Sequence, residues 1–278
     1  MFFFYQILLT FSFIFAPLII ALRILKGKED KKRFIEKFSK ATIKRKSGNL
    51  IWFHGSSVGE IMSIVPLLKY YEKDKSINQV LVTSSTLSSS KIIKKYKFKK
   101  TIHQFYPIDH ILFNYRFINY WKPNLAIFIE SEIWPSMFIS LKNKNIPLIL
   151  LNARLTNKTF LKWKKINNFT KSIFSKINIA YPQNLETKSY LKKMNVKKIK
   201  LIGNLKFIES SQDSADRTNR KLNIQLNKRR IWVASSTHKK EEIFCAEAHI
   251  ELKKKYKNIL TIIIPRHIHR AKEISKEI

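Results

Sequence analysis

From Leu50 onward, short apolar runs alternate with segments whose apolar residues recur at helical spacing. The apolar runs predict strands at Leu50–Phe53, Gln79–Thr83, His103–Tyr106, Leu125–Ile129, Pro147–Leu151, Ile177–Ala180 and Lys198–Ile202. The helical spacing predicts helices after Ser57 and at Ser88–Tyr96, His110–Trp121, Pro135–Asn143, Thr159–Phe174 and Leu185–Lys193. Because strands and helices take turns, we expect an α/β domain over residues 50–209, with a parallel sheet covered on both faces.

A polar stretch from Ser210 to Asn227 interrupts the alternation of strands and helices and predicts an interdomain linker over residues 210–229. The alternation then resumes, with strands at Arg230–Ala234 and Ile259–Ile264 and a helix at Glu241–Tyr256 between them. Two neighbouring strands leave most of a sheet face and an edge uncovered. We therefore expect residues 230–278 to be the start of a second, incomplete domain.

Residues 1–22 carry no charge and are dense in Phe, Ile and Leu, which predicts a membrane anchor helix. Such a helix would be about 33 Å long, enough to cross the hydrocarbon layer, although a helix buried part-way into one leaflet fits as well. A basic amphipathic connector follows over residues 23–49. By the positive-inside rule this flank stays in the cytoplasm, so the rest of the chain is expected on the cytoplasmic face of the inner membrane.

The formal net charge of +35 favours a partner that carries phosphate or an anionic membrane surface. Much of this excess is lysine scattered over nearly every predicted helix, so we give the charge only about half its usual weight as an indicator of function. No nucleic-acid-binding motif accompanies it, and we expect no nucleic-acid partner. The single cysteine, Cys245, excludes an internal disulfide and a cysteine-rich metal site.

Three carboxylates stand at predicted strand-to-helix junctions. Glu60 ends the segment HGSSVGE, and Glu130 and Glu132 lie in IESEIWP, just after a buried strand. An acid at a helix N-terminus can simply stabilise the helix dipole. It can also act as a catalytic base, because ligands of parallel α/β sheets bind at the carboxyl ends of the strands.

Groups suited to binding an anion follow the later strands. Lys206 lies in GNLKF beside the linker, Ser236 and Thr237 can cap a helix, and Arg266 and His267 follow the last strand. His267 and His269 lack a third ligand pattern, so no metal site is predicted. Acids in one domain and anion-binding groups in the next suit transfer of a group from an anionic donor to a hydroxyl.

The order of seven short motifs resembles one family, the 3-deoxy-D-manno-octulosonic acid (Kdo) transferases that attach Kdo to lipid A. The motifs are HGSSVGE, Tyr106–Asp109, IESEIWP, Leu151–Leu155, Gly203–Phe207, Ala234–His238 and Pro265–His267. The resemblance covers essentially the whole chain. It implies a GT-B fold with two Rossmann-like domains and an inverting transfer of Kdo from CMP-Kdo to lipid IVA, without a metal or other cofactor.

The resemblance also implies roles for single residues. Glu60 matches the general base of the family, and Glu132 is favoured over Glu130 as its second essential acid. The expected substrate-binding residues are Ser57, Arg154, Lys206, Ser236, Thr237, Arg266 and His267.

One departure from the family concerns the second domain. In the family it continues past the PRH motif through a glycine-rich and Asn-Pro-Leu-Glu segment that lines the nucleotide site, and no such segment occurs here. The resemblance therefore implies a C-terminally shortened member. The alternative is a truncated, non-catalytic membrane-bound protein that binds anionic lipid.

Overall fold

The computed structural model describes residues 1–205, 226–227 and 229–278 of the 278-residue chain. It divides into two compact units, Met1–Ser211 and Gln212–Ile278.

The first unit is built on a six-stranded sheet in the order β3-β2-β1-β4-β5-β6, in which all paired strands are parallel. The strands are β1 (Leu50–His54), β2 (Gln79–Ser84), β3 (Thr101–Phe105), β4 (Leu125–Ile129), β5 (Leu148–Ala153) and β6 (Ile179–Pro182). The strand order reverses beside β1, as it does in a Rossmann-like domain. The predicted α/β class is therefore confirmed.

Helices cover both faces of this sheet. They are α3 (Val58–Lys73), α4 (Leu87–Lys95), α5 (Ile111–Trp121), α6 (Pro135–Asn143), α7 (Asn157–Lys164), α8 (Asn167–Phe174) and α9 (Leu185–Lys193). Because both faces are covered, β1 is buried at every position: Leu50 and Trp52 join one hydrophobic cluster, Ile51 and Phe53 the other. This explains why the strands read as continuous apolar runs.

Two predicted elements differ from the structure. The helix predicted over Thr159–Phe174 is two helices, α7 and α8, and the Thr170 hydroxyl donates a hydrogen bond of 2.6 Å to the Trp163 carbonyl across the break. The apolar spacing continues across that break and conceals it. The strand predicted over Lys198–Ile202 is reduced to one bridge between Ala180 and Ile199, beside the edge strand β6.

The uncharged N-terminal segment forms two helices, α1 (Phe2–Ile14) and α2 (Ala16–Leu25), with Pro17 in the first turn of α2. Within the described part of the chain, no single helix has the length and apolarity needed to cross a membrane. Phe2–Ser12 and Ala16–Leu25 meet that criterion only together, as a pair bent by 52°.

Part of the basic connector packs on the first unit. Its 3₁₀ helix, Arg33–Phe38, lies along the edge strand β3, where the buried Glu36 carboxylate accepts a hydrogen bond of 2.7 Å from the Phe105 amide. Arg33 pairs with Glu36 through both carboxylate oxygens and donates to the His103 carbonyl at 2.6 Å. These bonds satisfy backbone groups that an open sheet edge would expose.

The second unit contains a parallel pair of strands, β7 (Arg230–Thr237) and β8 (Ile259–Pro265), connected by the helix α10 (Glu241–Lys255). A 3₁₀ turn at Ile268–Arg270 and the helix α11 (Ala271–Glu277) follow. Strand, helix and strand occur where the sequence predicted them.

Candidate functional site

The loop between β1 and α3 positions Glu60 in the first turn of α3. Ser57 is the N-cap residue: its hydroxyl accepts a hydrogen bond from the Glu60 amide at 3.2 Å and donates to Glu60 Oε1 at 2.8 Å. The Ser56 amide donates to Glu60 Oε2 at 2.7 Å. Ser57 therefore caps the helix and holds the acid side chain at the same time.

Gly55 permits the close approach between this loop and Glu60. A Cβ atom added to Gly55 would lie 3.1 Å from Glu60 Cβ, closer than such atoms normally pack, and 3.4 Å from Glu60 Oε2. A larger residue at this position in the HGSSVGE motif would therefore press on the Glu60 side chain.

Glu132 lies across from Glu60 and is held by three donors. Its Oε2 atom accepts hydrogen bonds from Ser56 Oγ at 2.7 Å and from Trp134 Nε1 at 2.8 Å, and it lies 3.1 Å from His54 Nε2. Ser56 therefore contacts both acids, Glu60 through its backbone amide and Glu132 through its hydroxyl. The structure brings the two predicted acids together on one serine.

His54 is fully buried behind Glu132. Its ring stacks on Tyr106 with 3.8 Å between centroids, and its Nδ1 atom lies 3.0 Å from the Thr83 hydroxyl and 3.2 Å from the Thr83 carbonyl. Because both ring nitrogens have partners and the ring is packed on Tyr106, the His54 side chain is held in place. It in turn holds Glu132 Oε2.

The pKa values of the two acids shift in opposite directions. Burial raises the pKa of Glu60, the negative charges of Glu132 and Glu130 raise it further, and the hydrogen bonds from Ser57 and Ser56 only partly oppose this. Burial also acts to raise the pKa of Glu132, but the hydrogen bonds from His54, Ser56 and Trp134 outweigh it and the pKa lies below its usual value. Acids whose environments separate their pKa values take different roles, and Glu60 is the better proton acceptor.

Glu130 lies at the end of β4 with a backbone φ of +55°, in the left-handed region that non-glycine residues seldom occupy. Its amide donates to the Leu151 carbonyl at 2.9 Å and its side chain is buried. This turn directs Glu130 inward and leaves Glu132 beside Ser56. Strain of this kind costs on the order of 1–3 kcal/mol and is typical of functional loops.

Arg154 follows β5 and lies against the same loop. Its amide donates to the Glu130 carbonyl at 3.4 Å, and its carbonyl accepts a hydrogen bond from the Ser131 hydroxyl. The Arg154 residue is exposed. The structure thus brings one predicted substrate-binding residue to the edge that carries the acids.

In the second unit, Ser236, Arg266 and His267 are exposed, and Ser236 has a φ of +62°. The Thr237 hydroxyl is buried and donates to Glu242 at 2.8 Å, and the Arg270 guanidinium pairs with the same carboxylate at 3.0 Å. The Arg266 amide donates to the Thr237 carbonyl at 3.0 Å, which joins two of the predicted residues. Lys206 lies outside the described residues.

Sequence reasoning did not assign a role to His54, Ser56 or Trp134, although each lies within a motif. Their positions could have indicated a role, because all three lie where a strand passes into a helix. His54 ends β1, Ser56 lies in the loop that follows β1, and Trp134 directly precedes the helix α6. Among the described residues, no group of three or more His, Cys, Asp or Glu side chains is arranged to hold a metal ion.

Comparison with known proteins identifies a family and a fold. Residues 31–209 match the family model described as 3-deoxy-D-manno-octulosonic-acid transferase. The chain is 31% identical over 286 residues to the "Probable 3-deoxy-D-manno-octulosonic acid transferase, mitochondrial" of Arabidopsis thaliana, covering 99% of this chain and 64% of that protein. It is 35% identical over 266 residues to the 3-deoxy-D-manno-octulosonic acid transferase of Rickettsia bellii, covering 95% and 63%. The chain thus spans less than two thirds of the length of these two relatives.

Among solved structures, the chain is similar to the UDP-GlcNAc 2-epimerase of Neisseria meningitidis bound to UDP-GlcNAc. The TM-score is 0.57 at 12% sequence identity, over 83% of this chain and 68% of that one. At this identity the likeness is one of fold alone.

Proposed function

The chain belongs to the 3-deoxy-D-manno-octulosonic acid transferase family, and on this premise we propose that it acts in lipopolysaccharide biosynthesis as a transferase of Kdo from CMP-Kdo to lipid IVA. Membership rests on the family match over residues 31–209. The observation that supports the chemistry is the pair of acids on Ser56, with Glu60 the stronger proton acceptor.

In the proposed reaction, the Glu60 carboxylate accepts the proton of an acceptor hydroxyl. The hydroxyl oxygen then forms a bond to the anomeric carbon of Kdo from the side opposite the phosphate, and the bond from that carbon to the phosphate oxygen breaks. The configuration inverts, and CMP leaves with the bonding electron pair. We propose that Arg266 and Lys206 balance the charge of the donor phosphate, that His267 and Ser236 donate hydrogen bonds to it, and that no metal is needed.

Glu132 has a different role in this proposal. Its Oε2 atom accepts hydrogen bonds from three donors and its pKa lies below the usual value, so Glu132 is the weaker proton acceptor of the two acids. It positions Ser56, and through the Ser56 amide it positions Glu60. Its negative charge also raises the pKa of Glu60, which strengthens the base.

The experiment that tests this proposal is a radiolabelled CMP-Kdo assay with lipid IVA, on membranes that contain the 278-residue chain. Glu60→Gln keeps the size of the side chain and removes its basicity, so we expect transfer to fall by at least about 100-fold. The matched control is Glu186→Gln, an exposed acid on α9, which is expected to leave the rate unchanged. Transfer that survives Glu60→Gln would rule out Glu60 as the base, and no transfer by the wild-type chain would contradict the activity.

We also propose that the chain works at the cytoplasmic face of the inner membrane, supported by the net charge of +35 and the apolar N-terminal helices. The same two features favour a second candidate function, that of a non-catalytic protein bound to anionic lipid. That function predicts lipid binding without transfer, and binding that Glu60→Gln does not alter.

A further inference from the structure

Three polar side chains hydrogen-bond the helix α1 to the rest of the first unit. They are Tyr5, Gln6 and Thr10, and we call them the polar seam. The Tyr5 hydroxyl donates to Asp109 Oδ2 at 2.8 Å and Gln6 Nε2 donates to Ser136 Oγ at 2.6 Å. The Thr10 hydroxyl lies 3.2 Å from His110 Nε2. At 100° per residue, these three positions fall on one side of the helix.

The partners of the polar seam belong to the loops at the carboxyl edge of the sheet. Asp109 is buried and also accepts hydrogen bonds from the Ser136 and Met137 amides, at 3.1 and 2.9 Å, at the start of α6. An ionisable carboxyl and a helix N-terminus are costly in hydrocarbon. If α1 crossed a bilayer, it would have to leave these partners or carry them with it.

The opposite side of the N-terminal helices is apolar and exposed. Its residues follow one another at steps of four and three, and we call them the apolar stripe: Phe4, Leu8, Phe11, Phe15, Leu18 and Leu22. Their exposed fractions run from 47% to 70%. An exposed stripe of this length is typical of an interaction surface.

Charge identifies the partner of this stripe. Exposed Lys26, Lys28, Lys31 and Lys32 follow directly after α2, in a chain of net charge +35. Lysines that flank an apolar helix face are suited to binding anionic head groups.

We propose that α1 and α2 lie in the plane of an anionic membrane surface, with the apolar stripe in the lipid and the polar seam holding α1 to the first unit. The seam ends on Ser136, in the first turn of the helix that follows Glu132 and Trp134. The sheet edge that carries the acids is therefore held at the lipid surface. This inference rests on the proposed membrane association and specifies its mode.

Vesicle flotation tests the lipid-binding face. Leu8→Gln combined with Phe11→Gln is expected to weaken binding of the 278-residue chain to anionic phospholipid vesicles by at least about tenfold. The matched control is Leu185→Gln, a leucine that is 69% exposed on α9, for which binding is expected to stay the same. Unchanged binding of the double variant would overturn the proposal.

Crosslinking tests whether the seam persists in the membrane. In a Cys245→Ser background, Thr10→Cys with His110→Cys places two thiols across the seam at accessible positions, and a short bis-maleimide is expected to join them in vesicle-bound protein. Thr10→Cys with Ser76→Cys, before β2 at the amino edge of the sheet, is the control and is expected not to be crosslinked. Crosslinking in solution that is lost on vesicles would indicate a spanning helix, and a crosslinked dimer would indicate a second copy; either overturns the in-plane arrangement.

Neither measurement uses CMP-Kdo, so a failure of the transferase proposal leaves both results interpretable. Absence of vesicle binding would contradict the membrane association itself. Binding without the intramolecular crosslink would contradict only the in-plane mode.

Discussion

At the scale of single residues, Ser56 organises the candidate site because its amide and its hydroxyl hold different acids. Glu132 is surrounded by donors, whereas Glu60 is half-buried and lies near two other negative charges. The two environments therefore suit the roles that we propose, Glu132 as a positioning residue and Glu60 as the base.

Replacing Glu132 by Gln is expected to move the acidic limb of the pH–rate profile to lower pH. The Glu132 charge raises the pKa of Glu60, so its removal lowers that pKa and the base stays ionised in more acidic solution. The measurement is kcat/KM for Kdo transfer as a function of pH. Glu186→Gln, an exposed acid, serves as the control, and an unmoved limb in Glu132→Gln would refute electrostatic coupling of the two acids.

Replacing Ser57 by Ala is expected to move the same limb in the opposite direction. The Ser57 hydroxyl bond lowers the pKa of Glu60, and without it Glu60 is protonated at higher pH. Loss of this N-cap is also expected to cost about 1 kcal/mol of folding stability. Chemical denaturation measures that cost, and Ser57→Thr, which keeps the hydroxyl, is expected to restore both properties.

At the scale of elements, α3 is held at both ends. Its first turn is capped at the site, and near its last turn the Glu72 carboxylate accepts hydrogen bonds from the Lys99, Lys100 and Thr101 amides at 2.7 to 3.2 Å. The helix that carries Glu60 is thereby fixed to the start of β3. A site that needs its base in one place benefits from such a support.

Replacing Glu72 by Gln is expected to lower Tm at pH 7 and to have a progressively smaller effect as the pH falls below the ordinary value of 4.5. Burial acts to raise the pKa of Glu72, but the Thr101 hydroxyl and the three amides lower it below its ordinary value of 4.5. A lowered folded-state pKa contributes stability that is present above the unfolded pKa and is lost as the pH falls through the folded value. Thermal unfolding across this pH range measures it, and a pH-independent difference would contradict the assignment.

At the scale of the whole molecule, the proposed membrane association combines two kinds of attraction, one from the net charge and one from the apolar stripe. Attraction between the charge of +35 and anionic lipid is screened by salt, whereas burial of apolar side chains in the lipid is not. The two contributions can therefore be separated by ionic strength.

Raising the salt concentration from about 0.05 to about 0.5 M is expected to weaken binding to anionic vesicles by at least tenfold while a residual affinity remains. Flotation with wild-type protein measures the slope. The Leu8→Gln, Phe11→Gln double variant serves for comparison and should lose the salt-resistant part. Salt-independent binding of the wild-type protein would show that charge has no role.

The sequence by itself determined the alternation of strands and helices, because burial on both faces of a parallel sheet and helical periodicity are local patterns. Leu125–Ile129, Pro135–Asn143 and Leu185–Lys193 have the bounds that these patterns predict. The placement of Glu60 and Glu132 at the carboxyl ends of strands followed from the same patterns.

Only the tertiary structure decided that Glu132, and not Glu130, contacts the Ser56 hydroxyl. That contact depends on the left-handed turn at Glu130 and on the strand pairing that brings β4 beside β1. It also decided that α1 hydrogen-bonds to Asp109, His110 and Ser136, residues about 100 positions or more away in the chain. Apolarity alone allows a helix to span a membrane or lie on it. The contacts of Tyr5 and Gln6 support the proposed in-plane arrangement, because a helix bonded to the carboxyl edge of the sheet remains beside that edge.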